Sequence, residues 1–108
     1  MGKFVISTRK NGEFQFNLIA ANGQIILGSE GYTTKASCNK AIQSVIENSQ
    51  NDSNFIRKTS ANGKYYFNLK ATNGEIIGTS EMYASEAARE SGVFSVKVNA
   101  KSSLVEQQ

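Results

Sequence analysis

The stretch that decides the fold occurs twice in the chain. Residues 14–26 read Phe-Gln-Phe-Asn-Leu-Ile-Ala-Ala-Asn-Gly-Gln-Ile-Ile, and residues 65–77 read Tyr-Tyr-Phe-Asn-Leu-Lys-Ala-Thr-Asn-Gly-Glu-Ile-Ile. A shift of 51 residues aligns the two, and positions 2–48 then match the second half at 19 of 47 places without a gap. Unrelated sequences of this length would share about 3 residues. The chain is therefore a tandem duplication of one unit.

Both copies of the stretch alternate apolar and polar residues, which is the period of a β-strand. In the second copy one face carries Tyr65, Phe67 and Leu69, and the other carries Tyr66, Asn68 and Lys70. An Asn-Gly pair lies on each side of the strand, and this dipeptide favours a two-residue type I′ hairpin. The sequence predicts two three-stranded meanders, with strands at residues 3–9, 13–20 and 24–30 and at 54–60, 64–71 and 75–81.

After each meander the apolar period changes to that of a helix. Between Lys35 and Ile46 one stripe of a helix would carry Cys38, Ala41, Ile42, Val45 and Ile46. Thr34 is the expected N-cap, and Ser85 takes the same place in the second copy. The second stripe thins to Gly92, Val93 and Val96, and a glycine inside a helix indicates a close approach to the sheet.

The length of 108 residues fits one domain. A unit of about 50 residues is marginal alone, and residues 49–53 are too short a linker to let two units separate. We therefore predict an α+β fold in which two tandem β-β-β-α(-β) repeats, about residues 2–49 and 53–100, form one pseudo-twofold antiparallel sheet with two helices packed on one face. The tail at residues 103–106 is predicted to add a final strand that pairs with the other copy.

Three phrases carry a resemblance to a known family. They are Phe-Asn-Leu-Lys-Ala-Thr-Asn-Gly-Glu-Ile-Ile at 67–77, Ser-Glu-Met-Tyr-Ala-Ser at 80–85 and Ser-Val-Lys-Val-Asn-Ala at 95–100. Over nearly the whole chain this pattern resembles the YegP-like family, a domain of unknown function (DUF1508, UPF0339). The first copy departs from it at Ile19 and Ile46, where the second has Lys70 and Lys97. The resemblance implies one continuous sheet with exchanged C-terminal strands, and it implies no activity or catalytic residues.

Composition excludes several kinds of site. The chain has no His and one Cys, so it lacks the commonest general base, an internal disulfide and any Cys-Cys or Cys-His metal site. We predict no metal and no cofactor. The net charge of +3 is too small to require a nucleic-acid partner, and no apolar run approaches the ~20 residues of a membrane helix. With a lone cysteine and no export signal, we predict a cytoplasmic monomer with internal pseudo-dimer symmetry.

A few side chains could carry chemistry, and each has a structural interpretation. Cys38 lies in the apolar helix stripe without a base, which favours a buried small hydrophobe over a reactive thiolate. Glu30 with Tyr32, and Glu81 with Tyr83, resemble acid–base pairs. At the end of a strand before a helix, however, Glu suits the helix dipole and Tyr suits ring packing. The hydroxyls of Ser29 and Ser80 suit turns or caps better than nucleophilic attack, since no base stands beside them.

The sheet face turned away from the helices is the candidate binding face. If the apolar strand residues point at the helices, this face carries Ile19 and Ile56 together with the candidate residues Lys58, Tyr66, Asn68, Lys70, Gln15 and Asn17. An aromatic among amides and lysines could stack and hold single-stranded nucleic acid. The solvated face of an ordinary antiparallel sheet has a similar composition, which is the alternative. Phe94 aligns with Gln43 on the outer side of a helix, where one exposed aromatic is ordinary.

These observations favour a small non-catalytic cytoplasmic binding or interaction domain of unknown function. The alternative is weak, sequence-tolerant binding of single-stranded nucleic acid on the open sheet face. An enzyme built on the Glu–Tyr pairs is a distant third hypothesis, because no histidine, usable cysteine, carboxylate cluster or phosphate loop supports it.

Overall fold

The structure is a computed structural model that describes residues 2–101 and 104–108. The chain forms seven strands, two α-helices and a short 3-10 turn at Asp52–Asn54. They are β1 (Lys3–Thr8), β2 (Phe14–Ile19), β3 (Ile25–Gly28), α1 (Lys35–Asn48), β4 (Phe55–Thr59), β5 (Tyr65–Lys70), β6 (Ile76–Thr79), α2 (Glu86–Ala100) and β7 (Val105–Gln107). The six strands of the two meanders lie where the alternation predicts them, each one to three residues shorter than expected.

All seven strands form one sheet in the order β4-β5-β6-β3-β2-β1-β7. Within each repeat the strands pair antiparallel, and the repeats meet where Gly28 pairs with Thr79. The predicted α+β fold is confirmed, with one addition: β7 runs parallel to β1 and makes the sheet mixed. The tail strand thus pairs with the first repeat, as predicted, but it spans Val105–Gln107. Ser103, where we expected it to begin, lies outside the described residues.

The two repeats differ at the pseudo-twofold axis, where equivalent residues meet each other. On the helix side a Cβ at Gly78 would come within 2.6 Å of Cδ2 of Leu27, its own counterpart in the first repeat. On the opposite side the small residue is Gly28, and its larger counterpart and partner is Thr79. Two large side chains could not share the same place beside the axis. The duplication therefore keeps one large and one small residue on each face.

The four Asn-Gly turns differ from the type I′ prediction, which is wrong. In the first turn Gly12 N–H donates to Arg9 O and Arg9 N–H donates to Glu13 O, which encloses three residues rather than two. Gly12 has φ +87°, and Asn11 Oδ1 accepts from Glu13 N–H. This pattern is a turn followed by a glycine bulge, in which the glycine supplies the left-handed residue and the asparagine supplies a side-chain acceptor. The other three turns repeat the closing bonds.

Both helices pack on one face of the sheet and enclose a single core. Its fully buried side chains include Phe4, Phe16, Leu18, Phe67 and Leu69 from the strands and Cys38, Val45 and Val96 from the helices. Each helix contacts strands of both repeats, so neither repeat encloses a core of its own. Thr34 and Ser85 are the N-caps, as predicted, and their side chains accept from Ser37 N–H and Ala88 N–H.

Candidate binding face

The side of the sheet away from the helices, here called the open face, collects the predicted candidate residues. Because successive strand residues point to opposite sides, burying Phe16 and Phe67 under the helices turns the residues on either side of them outward. The structure accordingly places all six candidates on this face: Gln15, Asn17, Lys58, Tyr66, Asn68 and Lys70. Lys58 is exposed, and the other five are half-buried.

A central row of paired residues crosses the open face through the pseudo-twofold axis. From the β4 side to the β1 side it contains Ile56, Asn68, Thr79, Gly28, Asn17 and Val5. Thr79 Oγ1 lies 3.0 Å from Asn68 Oδ1 and donates to it. Gly28 has no side chain, and Asn17 Oδ1 lies 3.1 Å from the position that a Cβ at Gly28 would take. The two asparagines are therefore equivalent in sequence but have different neighbours.

The two halves of the open face differ in charge. In the second repeat Lys58 lies directly across from Tyr66, and Lys70 lies four residues further along β5. Neither lysine forms an ion pair within the part of the chain that the structure describes. In the first repeat Lys3 Nζ is held by Glu106 at 3.1 Å. The unneutralised positive charge around an aromatic side chain therefore belongs to the second repeat.

The six candidates form two groups rather than one site. Gln15 and Asn17 lie on β2, and β3 and β6 separate them from the candidates on β5. Three strand spacings put the groups about 14 Å apart. Arg9 Nε also donates to Gln15 Oε1, which occupies that amide. The second-repeat group consists of Lys58, Tyr66, Asn68 and Lys70, and its two lysines form no ion pair among the described residues.

The Glu–Tyr pairs have structural surroundings. The backbone of Tyr83 pairs with that of Tyr65, and its ring stacks on Phe67 with centroids 6.4 Å apart. Burial, and then the Glu81 charge, raise the pKa of Tyr83; burial, followed by Glu30, raises the pKa of Tyr32. A raised pKa keeps a phenol protonated at neutral pH, which does not suit a base. The helix N-termini are capped by Thr34 and Ser85, so the glutamates are not the capping residues.

Other candidate nucleophiles are engaged or buried. Ser29 Oγ accepts from Phe16 N–H at 2.9 Å and donates to Glu30 O, and Ser80 repeats these bonds with Phe67 and Glu81. Each hydroxyl therefore links the end of β3 or β6 to the neighbouring strand, whereas the prediction assigned it to a turn or a cap. Cys38 is fully buried, as expected, and burial raises the pKa of its thiol. A Cβ at Gly92 would collide with the Tyr83 hydroxyl, so the predicted close approach involves the segment after β6.

Two clefts lie between the repeats, and no pattern in the sequence predicted them. One, of about 510 Å³, is lined by the β2–β3 hairpin of the first repeat with Glu81 and Tyr83 of the second. The other, of about 380 Å³, lies between Tyr32 and α1 of the first repeat and the β5–β6 hairpin of the second. The clefts are related by the pseudo-twofold axis. Their walls come from residues distant in sequence, which is why alternation and spacing could not find them.

The described residues were also compared with the requirements of a metal site and of a membrane-spanning helix. Within residues 2–101 and 104–108, no three His, Cys, Asp or Glu side chains form a cluster that could hold a metal ion. Over the same residues, neither helix has the length and apolar character to cross a bilayer.

Comparison with known proteins identifies the family. The domain of unknown function DUF1508 matches residues 10–55 and again residues 60–106, in agreement with the duplication. The chain is 51% identical to the UPF0339 protein YegP of Escherichia coli (strain CFT073) over 104 residues, which cover 96% of this chain and 94% of that protein. It is 54% identical to a UPF0339 protein of Pseudomonas aeruginosa over 95 residues, 88% of this chain and 86% of that one.

Solved structures show the same relationship. The solution structure of YegP from E. coli, described as a protein of unknown function, matches with a TM-score of 0.95 and 48% identity over 99% of this chain and 92% of that one. The UPF0339 protein of Shewanella oneidensis matches with a TM-score of 0.93 and 43% identity, covering 98% of this chain and 90% of that one. The chain belongs to the DUF1508 family, whose function is unknown.

Proposed function

We propose that this protein is a small non-catalytic binding domain of the cytoplasm, and that its ligand binds the second-repeat half of the open face. The observation that carries the proposal is the group of Lys58, Tyr66 and Lys70 on one accessible sheet face. Lys58 lies across from Tyr66, Lys70 lies four residues further along β5, and neither lysine has an ion-pair partner in the described structure. An aromatic side chain with lysines near it on an accessible face supplies both the stacking and the positive charge that a nucleic-acid-binding surface uses.

Single-stranded nucleic acid is the ligand class that this group suits. Bases stack on aromatic rings irrespective of sequence, and lysines neutralise the backbone phosphates. Tyr66 supplies a ring. Lys58 supplies positive charge on the neighbouring strand, and Lys70 supplies it four residues further along β5. Two lysines neutralise few phosphates, so binding should be weak and should decrease steeply with salt.

The experiment is an amide chemical-shift titration of the labelled protein with a short single-stranded oligothymidylate, at low and then physiological salt. We expect shifts at Lys58, Tyr66, Asn68 and Lys70 that weaken as salt rises. The first repeat provides matched substitutions. Tyr66→Gln installs the residue found at position 15 and should weaken binding about 5- to 100-fold through lost stacking. Lys70→Ile installs the residue at position 19 and should lower the salt slope by about one.

The control is Gln15→Ala, which lies on the first-repeat half and should leave binding unchanged. Shifts confined to the first-repeat half would contradict the placement of the site. Absence of shifts even at low salt would remove nucleic acid as the ligand and direct the search to a protein or small-molecule partner on the same face.

The absence of catalysis is part of the proposal and has its own test. An enzyme that used these tyrosines as bases would need Tyr32 or Tyr83 to ionise near neutral pH. Burial raises the pKa of both phenols, which supports a structural role. A spectrophotometric titration, with Tyr32→Phe and Tyr83→Phe to assign the signals, should show that these two phenols ionise above the ordinary tyrosine range, and ionisation of either below that range would reopen the enzymatic hypothesis.

The organisation that supports this surface is a single domain of two repeats, about residues 2–49 and 53–100. Because each helix contacts strands of both repeats, neither half encloses its own core. We expect one unfolding transition in urea, with fluorescence and circular dichroism giving the same midpoint. Two separated transitions would contradict it.

A further inference from the structure

β1 and β4 are equivalent strands at the outer ends of the two meanders, and among the described residues only β1 has a further strand beside it. β7 lies beside β1 with Phe4 opposite Val105, Val5 opposite Glu106 and Ile6 opposite Gln107. The equivalent strand of the second repeat is β4, at the other end of the sheet. No strand lies beside β4 in the described part of the chain. The β1 edge is therefore paired with an extended segment, β7, whereas the equivalent β4 edge has no such segment among the described residues.

The covered edge shows which backbone groups face outward. Phe4 N–H donates to Leu104 O at 2.7 Å, and Gln108 N–H donates to Ile6 O at 2.8 Å. The counterparts of Phe4 and Ile6, 51 residues on, are Phe55 and Arg57. The 3-10 turn takes one of these groups, because Phe55 N–H donates to Asp52 O.

The rest of the β4 edge is available to an added strand. By the alternation of an antiparallel ladder, the N–H and C=O of Arg57 and the N–H of Thr59 point away from β5. The carbonyl of Phe55 has only a long contact of 3.5 Å to Arg57 Nη1. An edge strand with unpaired groups is a template for another strand.

Side chains on and next to β4 are positively charged where their counterparts on and next to β1 are apolar. Ile6, Cys38 and Ile46 of the first repeat become the cations Arg57, Arg89 and Lys97. Two carboxylates hold these cations in place, Asp52 and Glu90: Arg57 Nη2 lies 3.0 Å from Asp52 Oδ1 and 2.8 Å from Glu90 Oε1, and Lys97 Nζ lies 2.8 Å from Asp52 Oδ1. Three cations and two anions leave a positive charge at this edge, which opposes pairing with the same edge of a second copy.

The open-face side of β4 adds a further cation. On the covered edge Glu106 projects on the open face beside Val5, where Lys3 binds it at 3.1 Å. A strand added to β4 in the same register would project its corresponding residue beside Ile56. The neighbour there is Lys58, exposed and without an ion pair among the described residues. An acidic side chain at that position of the added strand has a matching charge.

We propose that the β4 edge binds an extended acidic peptide segment of a partner protein, which adds to the sheet as an eighth strand parallel to β4. Its register is the one that β7 adopts on β1, with an acidic residue beside Ile56 and Lys58. The backbone bonds run through Arg57 and Thr59. This site lies at the edge of the sheet and shares Lys58 with the stacking surface, but it does not use the Tyr66 ring.

The probe is a peptide with the sequence Leu-Val-Glu-Gln-Gln, which copies the segment that β1 binds, titrated into the labelled full-length chain. We expect amide shifts at Arg57 and Thr59 and none at Phe4 or Ile6, because the tethered tail keeps the β1 edge filled. The same peptide with Lys in place of Glu should bind more weakly. Lys58→Glu should reverse that preference, since it exchanges the charge that faces the peptide.

Proline substitutions test the backbone bonds. Thr59→Pro removes an N–H that faces the open edge and leaves the ladder to β5 intact, so it should weaken peptide binding about fivefold, the equivalent of one hydrogen bond. The matched control is Thr8→Pro, the same position on β1, which should leave binding unchanged. Thr59→Ala keeps the N–H and separates the bond from the side chain.

Several results would overturn the proposal. Shifts at Phe4 and Ile6 would mean that the peptide competes with β7 instead of adding to β4. Equal binding by Thr59→Pro and Thr59→Ala would exclude the edge bonds, and absence of shifts would mean that the arginines close the edge. Tyr66→Gln should leave peptide binding unchanged, so failure here and failure of the stacking surface are distinguishable.

Discussion

The β1 and β4 edges are copies of the same strand with opposite surroundings. In β1 the edge residue is Ile6, which is 1% exposed, and β7 pairs with the outer backbone groups of the strand. Beside β4 it has Arg57 in an ion-pair cluster and leaves most of the backbone groups uncovered. Exposed edges of sheets promote unwanted pairing, and cover and charge are two ways to prevent it. The chain covers the β1 edge with β7 and places charge at the β4 edge.

The largest loss of stability should come from replacing Ile6 of β1 with arginine, the residue at the equivalent position of β4. Ile6→Arg places a guanidinium in a fully buried position whose surroundings lack the counterparts of Asp52 and Glu90. An unpaired charge in such a place costs about 3–5 kcal/mol of the free energy of unfolding. Urea unfolding measures it.

A second substitution checks the explanation for this loss. Asn39 is the counterpart of Glu90, so Asn39→Glu in the Ile6→Arg background should restore part of the lost stability. A loss below about 1 kcal/mol for Ile6→Arg alone would mean that the two edges tolerate each other's chemistry, and the comparison would fail.

Removing the tail should have the next largest effect. A chain that ends at Lys101 loses β7 and exposes the groups of Phe4 and Ile6 on an edge that carries no Arg57-like cation. Loss of its backbone bonds should lower the free energy of unfolding by about 1–3 kcal/mol. The uncovered edge should also pair with itself, so sedimentation velocity should show a concentration-dependent dimer. A truncated chain that stays monomeric and fully stable would show that β7 does not protect this edge.

The sequence predicted the repeat, the six meander strands, both helices and their caps, because each depends on periods and dipeptides that act locally. It also separated the open-face residues Tyr66, Asn68 and Lys70 from the buried ones. It did not predict the parallel direction of β7 or the glycine bulges, since one depends on where the tail meets the sheet and the other on hydrogen bonds across each turn.

The ion-pair cluster beside β4 could not be predicted from the sequence, for a different reason. The exchange of Cys38 for Arg89 and of Ile46 for Lys97 was visible along the helix. Only the fold brings these positions beside β4, together with Arg57 from the strand and Asp52 from the linker. A cluster whose members come from three separate segments has no spacing that a sequence pattern could register.

The contribution of the charged edge should appear as an acid-side pH dependence. Hydrogen bonds from Arg57 and then Lys97 lower the pKa of Asp52 to about 2, and those from Arg57 lower the pKa of Glu90. Both values lie below those of the unfolded chain. The stabilisation is therefore complete above about pH 5 and is lost as the pH falls through the folded-state values.

Arg57→Ala should flatten this dependence and cost only about 0.5–1 kcal/mol at neutral pH, because both carboxylates are about half exposed and solvent screens them. Urea unfolding at a series of pH values measures both quantities. An unchanged slope below pH 4 would show that other carboxyl groups control acid unfolding.

The smallest effect should come from a counterpart exchange that lies away from both edges. Phe94 on α2 is 67% exposed, and its counterpart in the first repeat is Gln43. Phe94→Gln should change the free energy of unfolding by less than about 0.5 kcal/mol, because the ring leaves little apolar surface buried in the fold. Set beside Ile6→Arg, it separates the cost of exchanging residues between repeats from the cost of placing charge under a covered edge. A loss as large as that of Ile6→Arg would mean that the repeats differ by divergence of their whole packing, and not by how each protects its outer strand.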